Sequence, residues 1–182
     1  MIYNSNKIND INYKKQYNIH KIDYSCNEYK LHMSNYKIMQ SKLINKFVNN
    51  INEDFITKII NDDKNIMINH SIDDSYDIDS ISSFIIYRKI IGKNDIKYVI
   101  LLFAVHPNIR NAGYGNLILD EFIKKISMSK SLKKINIILH SLESSLNFYL
   151  NYGFIKDNHS KFLNNYEGIV NNVLQYTISE KI

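Results

Sequence analysis

The chain has 182 residues, 45% of them hydrophobic and 23% charged, which suits one folded domain spanning residues 1–182 and excludes a disordered chain. Its net charge of +5 comes from Lys and Arg interleaved with Asp and Glu, a pattern of solvated surface rather than of a nucleic-acid-binding face. The longest apolar run, Tyr98 to Val105, is too short to cross a bilayer, and the first residues, Met1 to Lys7, lack the apolar stretch of a secretion signal. The one cysteine, Cys26, has no internal disulfide partner and cannot hold a metal alone, so a cytoplasmic setting, with neither a metal nor a membrane as partner, is expected. The abundance of Asn, Ile, Lys and Tyr reads as codon bias.

Residues 1–12 are polar and are expected to be loosely ordered. Tyr17 to Tyr24 alternate apolar and polar, as a strand does. From Ser34 to Ile51 the residues Ile38, Met39, Leu43, Phe47, Val48 and Ile51 recur at helical spacing. Asn52 can cap a second helix whose face carries Phe55, Ile56, Ile59 and Ile60. Three extended segments follow, Asn65 to Asn69, Ser82 to Ile91 and Ile96 to Val105, the last two joined by the hairpin turn Gly92-Lys93-Asn94-Asp95. A helix from about Gly113 to Met128 turns Leu117, Leu119, Phe122, Ile123 and Ile126 inward. A strand at Lys134 to Leu139, a short helix from Glu143 to Tyr152 with Gly153 at its C′ position, and strands at Phe154 to Lys156 and Val170 to Ile178 complete the chain. The order β-αα-βββ-α-β-α-ββ is α/β with a mixed sheet.

Two stretches carry chemistry. The first is Val105-His106-Pro107-Asn108-Ile109-Arg110-Asn111-Ala112-Gly113-Tyr114-Gly115, which leads from a strand into a helix. Such a turn presents a row of free backbone N–H groups at the positive end of a helix, where anions bind. It is neither a Walker A loop, lacking Gly-Lys-Ser/Thr, nor a dinucleotide fingerprint, lacking the third glycine. The second stretch, Glu143 to Phe154, ends in Tyr149-x-x-x-Gly153-Phe154.

Together these motifs resemble the GCN5-related N-acetyltransferase (GNAT) superfamily, over residues 98 to 156. The resemblance implies the GNAT fold, a mostly antiparallel mixed sheet splayed in the middle and flanked by about four helices. It implies an acyltransferase that uses acetyl-CoA and passes the acetyl group directly to a primary amine on a small molecule or a protein. Pantetheine would lie along Phe103, Ala104 and Val105, and the pyrophosphate would take the N–H groups of Arg110, Asn111, Ala112, Gly113, Tyr114 and Gly115. Tyr149 stands where such enzymes place an acid for the departing thiolate, and Asn147 contacts the pantetheine arm or faces solvent. Oligomeric state is open, although dimers are frequent among similar proteins.

The chain departs from the pattern in two places. The strand Tyr98 to Val105 carries no carboxylate to act as base, and Leu142 stands where an asparagine is common. His140, at the end of the next strand, is the substitute base, since an imidazole titrates near neutrality; a histidine merely bonded to backbone is the competing reading. His106 is a weaker candidate, expected to face outward; Glu143 is a further one, although a glutamate at a helix start usually complements the dipole, and a water chain ending on backbone carbonyls would also serve. Cys26 is expected to be a buried structural residue. The departures also admit a catalytically idle acyl-CoA-binding module.

Overall fold

The computed structural model describes residues 28–48, 52–72, 78–128, 133–157 and 172–178. Residues 1–12, the expected strand Tyr17 to Tyr24 and Cys26 lie outside these residues.

Helix α1, Glu28–Phe47, begins and ends earlier than its apolar pattern suggests. Its buried stripe is Gln40, Leu43, Ile44 and Phe47, at positions i, i+3, i+4 and i+7. Ile38, expected inward, falls off this stripe and is 52% exposed. Helix α2, Glu53–Asn61, is capped as expected: Asn52 Oδ1 accepts from the Asp54 N–H at 2.7 Å, and Ile56 and Ile59 are buried.

Strands β1 (Asn65–Ser71), β2 (Ile81–Ile91) and β3 (Asp95–Val105) form a meander. The β2–β3 turn is closed by the Gly92 N–H donating to the Asp95 carbonyl at 2.9 Å. Helix α3 (Tyr114–Ser127) then crosses to β4 (Lys134–Ser141), which lies parallel to β3. Helix α4 (Glu143–Tyr152) follows, then β5 (Ile155–Lys156) and β6 (Asn172–Ile178). The sheet order is β1-β2-β3-β4-β6-β5, with every other pairing antiparallel.

Alternation along the strands sends side chains to two faces, each with its own core. On one face Ile85, Tyr98, Ile137 and Leu139 meet α3 and α4. Phe122 of α3 is wholly buried there against the rings of Tyr87 and Tyr98. The α3 stripe is Ile118, Leu119, Phe122 and Ile126; Leu117, expected inward, is half-buried at its flank. On the other face Met67, Phe84, Ile86 and Ala104 meet α1 and α2. The architecture is the expected splayed mixed sheet with four flanking α-helices among the described residues. No described helix is long and apolar enough to cross a membrane.

Candidate active site

The central strands part company midway. β3 pairs with β4 from Asp95↔Lys134 to Ile100↔Leu139 and no further, although β3 runs on to Val105 and β4 to Ser141. The cause sits on the other edge of β3. Ile86 pairs with Leu102 and Tyr87 with Ile100, so Leu101 is an extra residue, and such a bulge bends its strand. From Leu102 to Val105 β3 keeps its pairing with β2 but has no ladder partner toward β4 among the described residues. A wedge with a free backbone edge opens there, and Phe103, Ala104 and Val105 line it.

The chain then enters the turn. His106 caps the short 3-10 turn Pro107–Ile109 through an N–H bond from Asn108. Its ring, expected to face outward, instead stands edge-on to Phe47 at 5.1 Å. Asn111 and Gly113 have φ of 66° and 89°. Asparagine and glycine are the residues that visit this left-handed region at least cost. Gly113 occupies the cap position of α3 and supplies no side-chain bond, and the first turn of α3 holds no acid. The first α-helical bond there is from the Leu117 N–H to the Gly113 carbonyl, at 3.1 Å. The amides ahead of it are therefore outside the helical ladder. Residues 110–113 are exposed beside them.

Gly115 has a different reason. A Cβ there would stand 3.3 Å from the Phe148 ring and 3.6 Å from Val105 Cγ2, so its absence lets α3 approach α4 and the end of β3. Phe148 in turn meets Phe103 at 5.8 Å, and Tyr149 meets Phe103 at 6.1 Å and Phe154 at 5.6 Å. These rings close the α3–α4 side of the wedge. Tyr149 is only 7% exposed, and burial pushes its hydroxyl far above the ordinary phenol value of 10.0. Asn147, on the same helix, faces solvent.

His140 ends β4 on the opposite face. Ile135, Ile137 and Leu139 point into the core that holds Tyr149, and His140 alternates away from it. The ring is half-buried, and desolvation lowers its pKa below 6.5. Leu142, exposed in an extended conformation, gives α4 no side-chain cap. The Glu143 carboxylate accepts from Asn172 Nδ2 at 2.8 Å and sits in the first turn of α4, where it complements the dipole.

The structure thus brings Phe103, Ala104, Val105, Tyr149 and the turn Arg110 to Gly115 around one wedge, with His140 on its far face and Asn147 outside it. Two participants were not foreseen. Phe148 is a wall of the wedge, and its only trace in the sequence is the glycine at position 115. The Arg110 guanidinium is engaged by backbone carbonyls, and nothing in the sequence marks that.

A family model described as an acetyltransferase (GNAT) domain matches residues 39–169, well over half of the chain. The chain belongs to the GNAT acetyltransferase family. As a member it is an acyltransferase, of a family that uses acetyl-CoA. Its fold is similar to that of Tetrahymena GCN5, with a TM-score of 0.56 and 15% identity over 87% of this chain and 93% of that one. A putative N-acetyltransferase from Lactobacillus plantarum is similar at a TM-score of 0.56 and 10% identity, over 81% of this chain and 91% of that one. The ribosomal-protein-S18-alanine N-acetyltransferase of Escherichia coli is similar at 0.52 and 11%, over 82% and 90%. A search of curated proteins finds no match to this GNAT sequence.

Proposed function

We propose that this GNAT protein moves an acetyl group from acetyl-CoA directly to a primary amine. The observation that carries the proposal is the free β3 edge opening beside an uncapped helix N-terminus. Those two features fit the two halves of the cofactor: amides that accept an added strand-like partner suit pantetheine, and the Arg110 to Gly115 N–H row suits pyrophosphate. When bound, acetyl-CoA supplies an acetyl thioester, and transfer exchanges its C–S bond for a C–N bond.

The chain's own residues handle position and protons. The gap-facing N–H groups between Phe103 and Val105 stabilise negative charge on the acyl oxygen. The His140 imidazole, neutral because burial lowers its pKa, takes the proton that the attacking amine must shed. On the other face Tyr149, held protonated by burial, gives a proton to the departing sulfur.

The acceptor is an amine on a small molecule or on a peptide. A free-thiol assay with acetyl-CoA tests the proposal against amino sugars, polyamines, aminoglycosides and peptide N-termini. Amine-dependent thiol release is expected with at least one class. Binding of CoA with no thiol release from any of them would leave a binding module in place of an enzyme.

A further inference from the structure

Arg110 sits in the turn, yet its side chain works elsewhere. Its Nη2 donates to the Phe47 carbonyl at 3.2 Å and its Nε to the Val105 carbonyl at 3.4 Å. Phe47 is the last residue of α1, so its carbonyl has no partner within the helix, and a cation there also complements the dipole. Two further contacts fasten the same end. The His106 ring stands against Phe47, and Lys46 pairs with Asp79. That ion pair is exposed and adds little by itself. The arginine and the His106 ring are thus what straps α1 to the turn, and the arginine supplies the hydrogen bonds.

The place of this strap matters. The last turn of α1 packs with Phe84 and Ala104, on the face of the sheet opposite α3 and α4. His140 alternates to that same face. The end of α1 and His140 thus lie on the same face of the sheet, with α1 packed on the open arm of β3 through Ala104.

We infer that the Arg110 side chain is a positioning group for the acceptor half of the site. It ties the end of α1 to the cofactor turn, so that filling the turn and docking an amine against α1 are coupled. The backbone amides serve the cofactor; the guanidinium serves the helix that borders the acceptor. Coupling of this kind is reciprocal, so an acceptor bound against α1 also tightens the turn. The inference rests on the cofactor reading above.

Amide hydrogen exchange of residues 44–48, with CoA as the probe, tests it. CoA at a hundred times its measured Kd is expected to slow exchange there roughly tenfold, the size of one charge-assisted hydrogen bond. In Arg110→Ala, held at a hundred times its own Kd, that slowing is lost. Arg110→Lys keeps the charge but cannot span both carbonyls, and is expected to keep about threefold at most. Once an amine is found in the thiol assay, Arg110→Ala should raise its KM about tenfold at saturating acetyl-CoA and lower kcat less. Undiminished slowing in both folded variants overturns the inference, as does CoA binding that leaves α1 exchange unchanged in the unsubstituted protein. Absence of CoA binding by the unsubstituted protein sinks the cofactor reading and this coupling together, and the measured Kd tells the two failures apart.

Discussion

In the proposed mechanism Tyr149 and His140 divide the proton work, and the sheet sets them on different faces. Removing the Tyr149 hydroxyl leaves the ring contacts with Phe103, Phe148 and Phe154 in place. Tyr149→Phe is therefore expected to lower kcat by roughly an order of magnitude or more while CoA still binds. Unchanged turnover would remove Tyr149 from the mechanism. Burial raises the Tyr149 pKa, so the acid form persists through neutral and mildly alkaline pH and sets no alkaline limb there. For His140 the sign is opposite: its pKa is lowered from 6.5, so the base is neutral at pH 7 and is lost only as pH falls through a value below 6.5. His140→Ala is expected to reduce kcat/KM and erase that acid limb. An identical pH profile in the variant would reassign the base.

At the scale of elements, the proposed function gives the cofactor half of the site to the β3–turn–α3 unit. Nothing lies within 4 Å of a Cβ built on Gly113, but its φ is +89°. A side chain there meets backbone strain of about 1–2 kcal/mol rather than a clash, and it rises among the amides offered to the anion. Gly113→Val is expected to abolish CoA binding with the fold retained, read by calorimetry beside a melting curve; normal affinity would contradict the pyrophosphate assignment. This unit was readable in the sequence because an apolar run, one arginine and two glycines stand in fixed order. α2 was readable because Asn52, Glu53 and Asp54 announce its start. The inward face of α1 was not. Its stripe includes the polar Gln40 and excludes the apolar Ile38, a choice made by packing against Phe84 and Ala104 and not by hydropathy. The bulge at Leu101 was also hidden, since a bulge is a mismatch between two strands and neither strand carries it alone. The arginine was visible as a cofactor residue, but its carbonyl partner lies 63 positions away.

At the scale of the molecule, ligand binding and pH act on stability. CoA at a hundred times its Kd stabilises a folded binder by about 2.7 kcal/mol, which for a chain of this size raises Tm by roughly 5–10 °C. No shift at that concentration would count against the cofactor reading. The Glu121 carboxyl on α3 is pushed up to about 7 by burial, against the opposing pull of Lys124. Its folded pKa exceeds the ordinary glutamate value of 4.5, so the folded state holds the proton more tightly. Stability from this group is full below pH 4.5 and fades as pH rises to about 7. Glu121→Gln should therefore gain on the unsubstituted protein in urea midpoint between pH 5 and pH 8, modestly because the site is partly wet. A gap that stays constant across that range would refute the assignment. The wedge itself has a further consequence. It is made by a count of hydrogen bonds, one residue too many in β3, and by no particular side chain. The side chains along the open arm of β3 can therefore change while the opening survives. New acceptors can then be tried by changing the far wall, with the reacting centre left untouched.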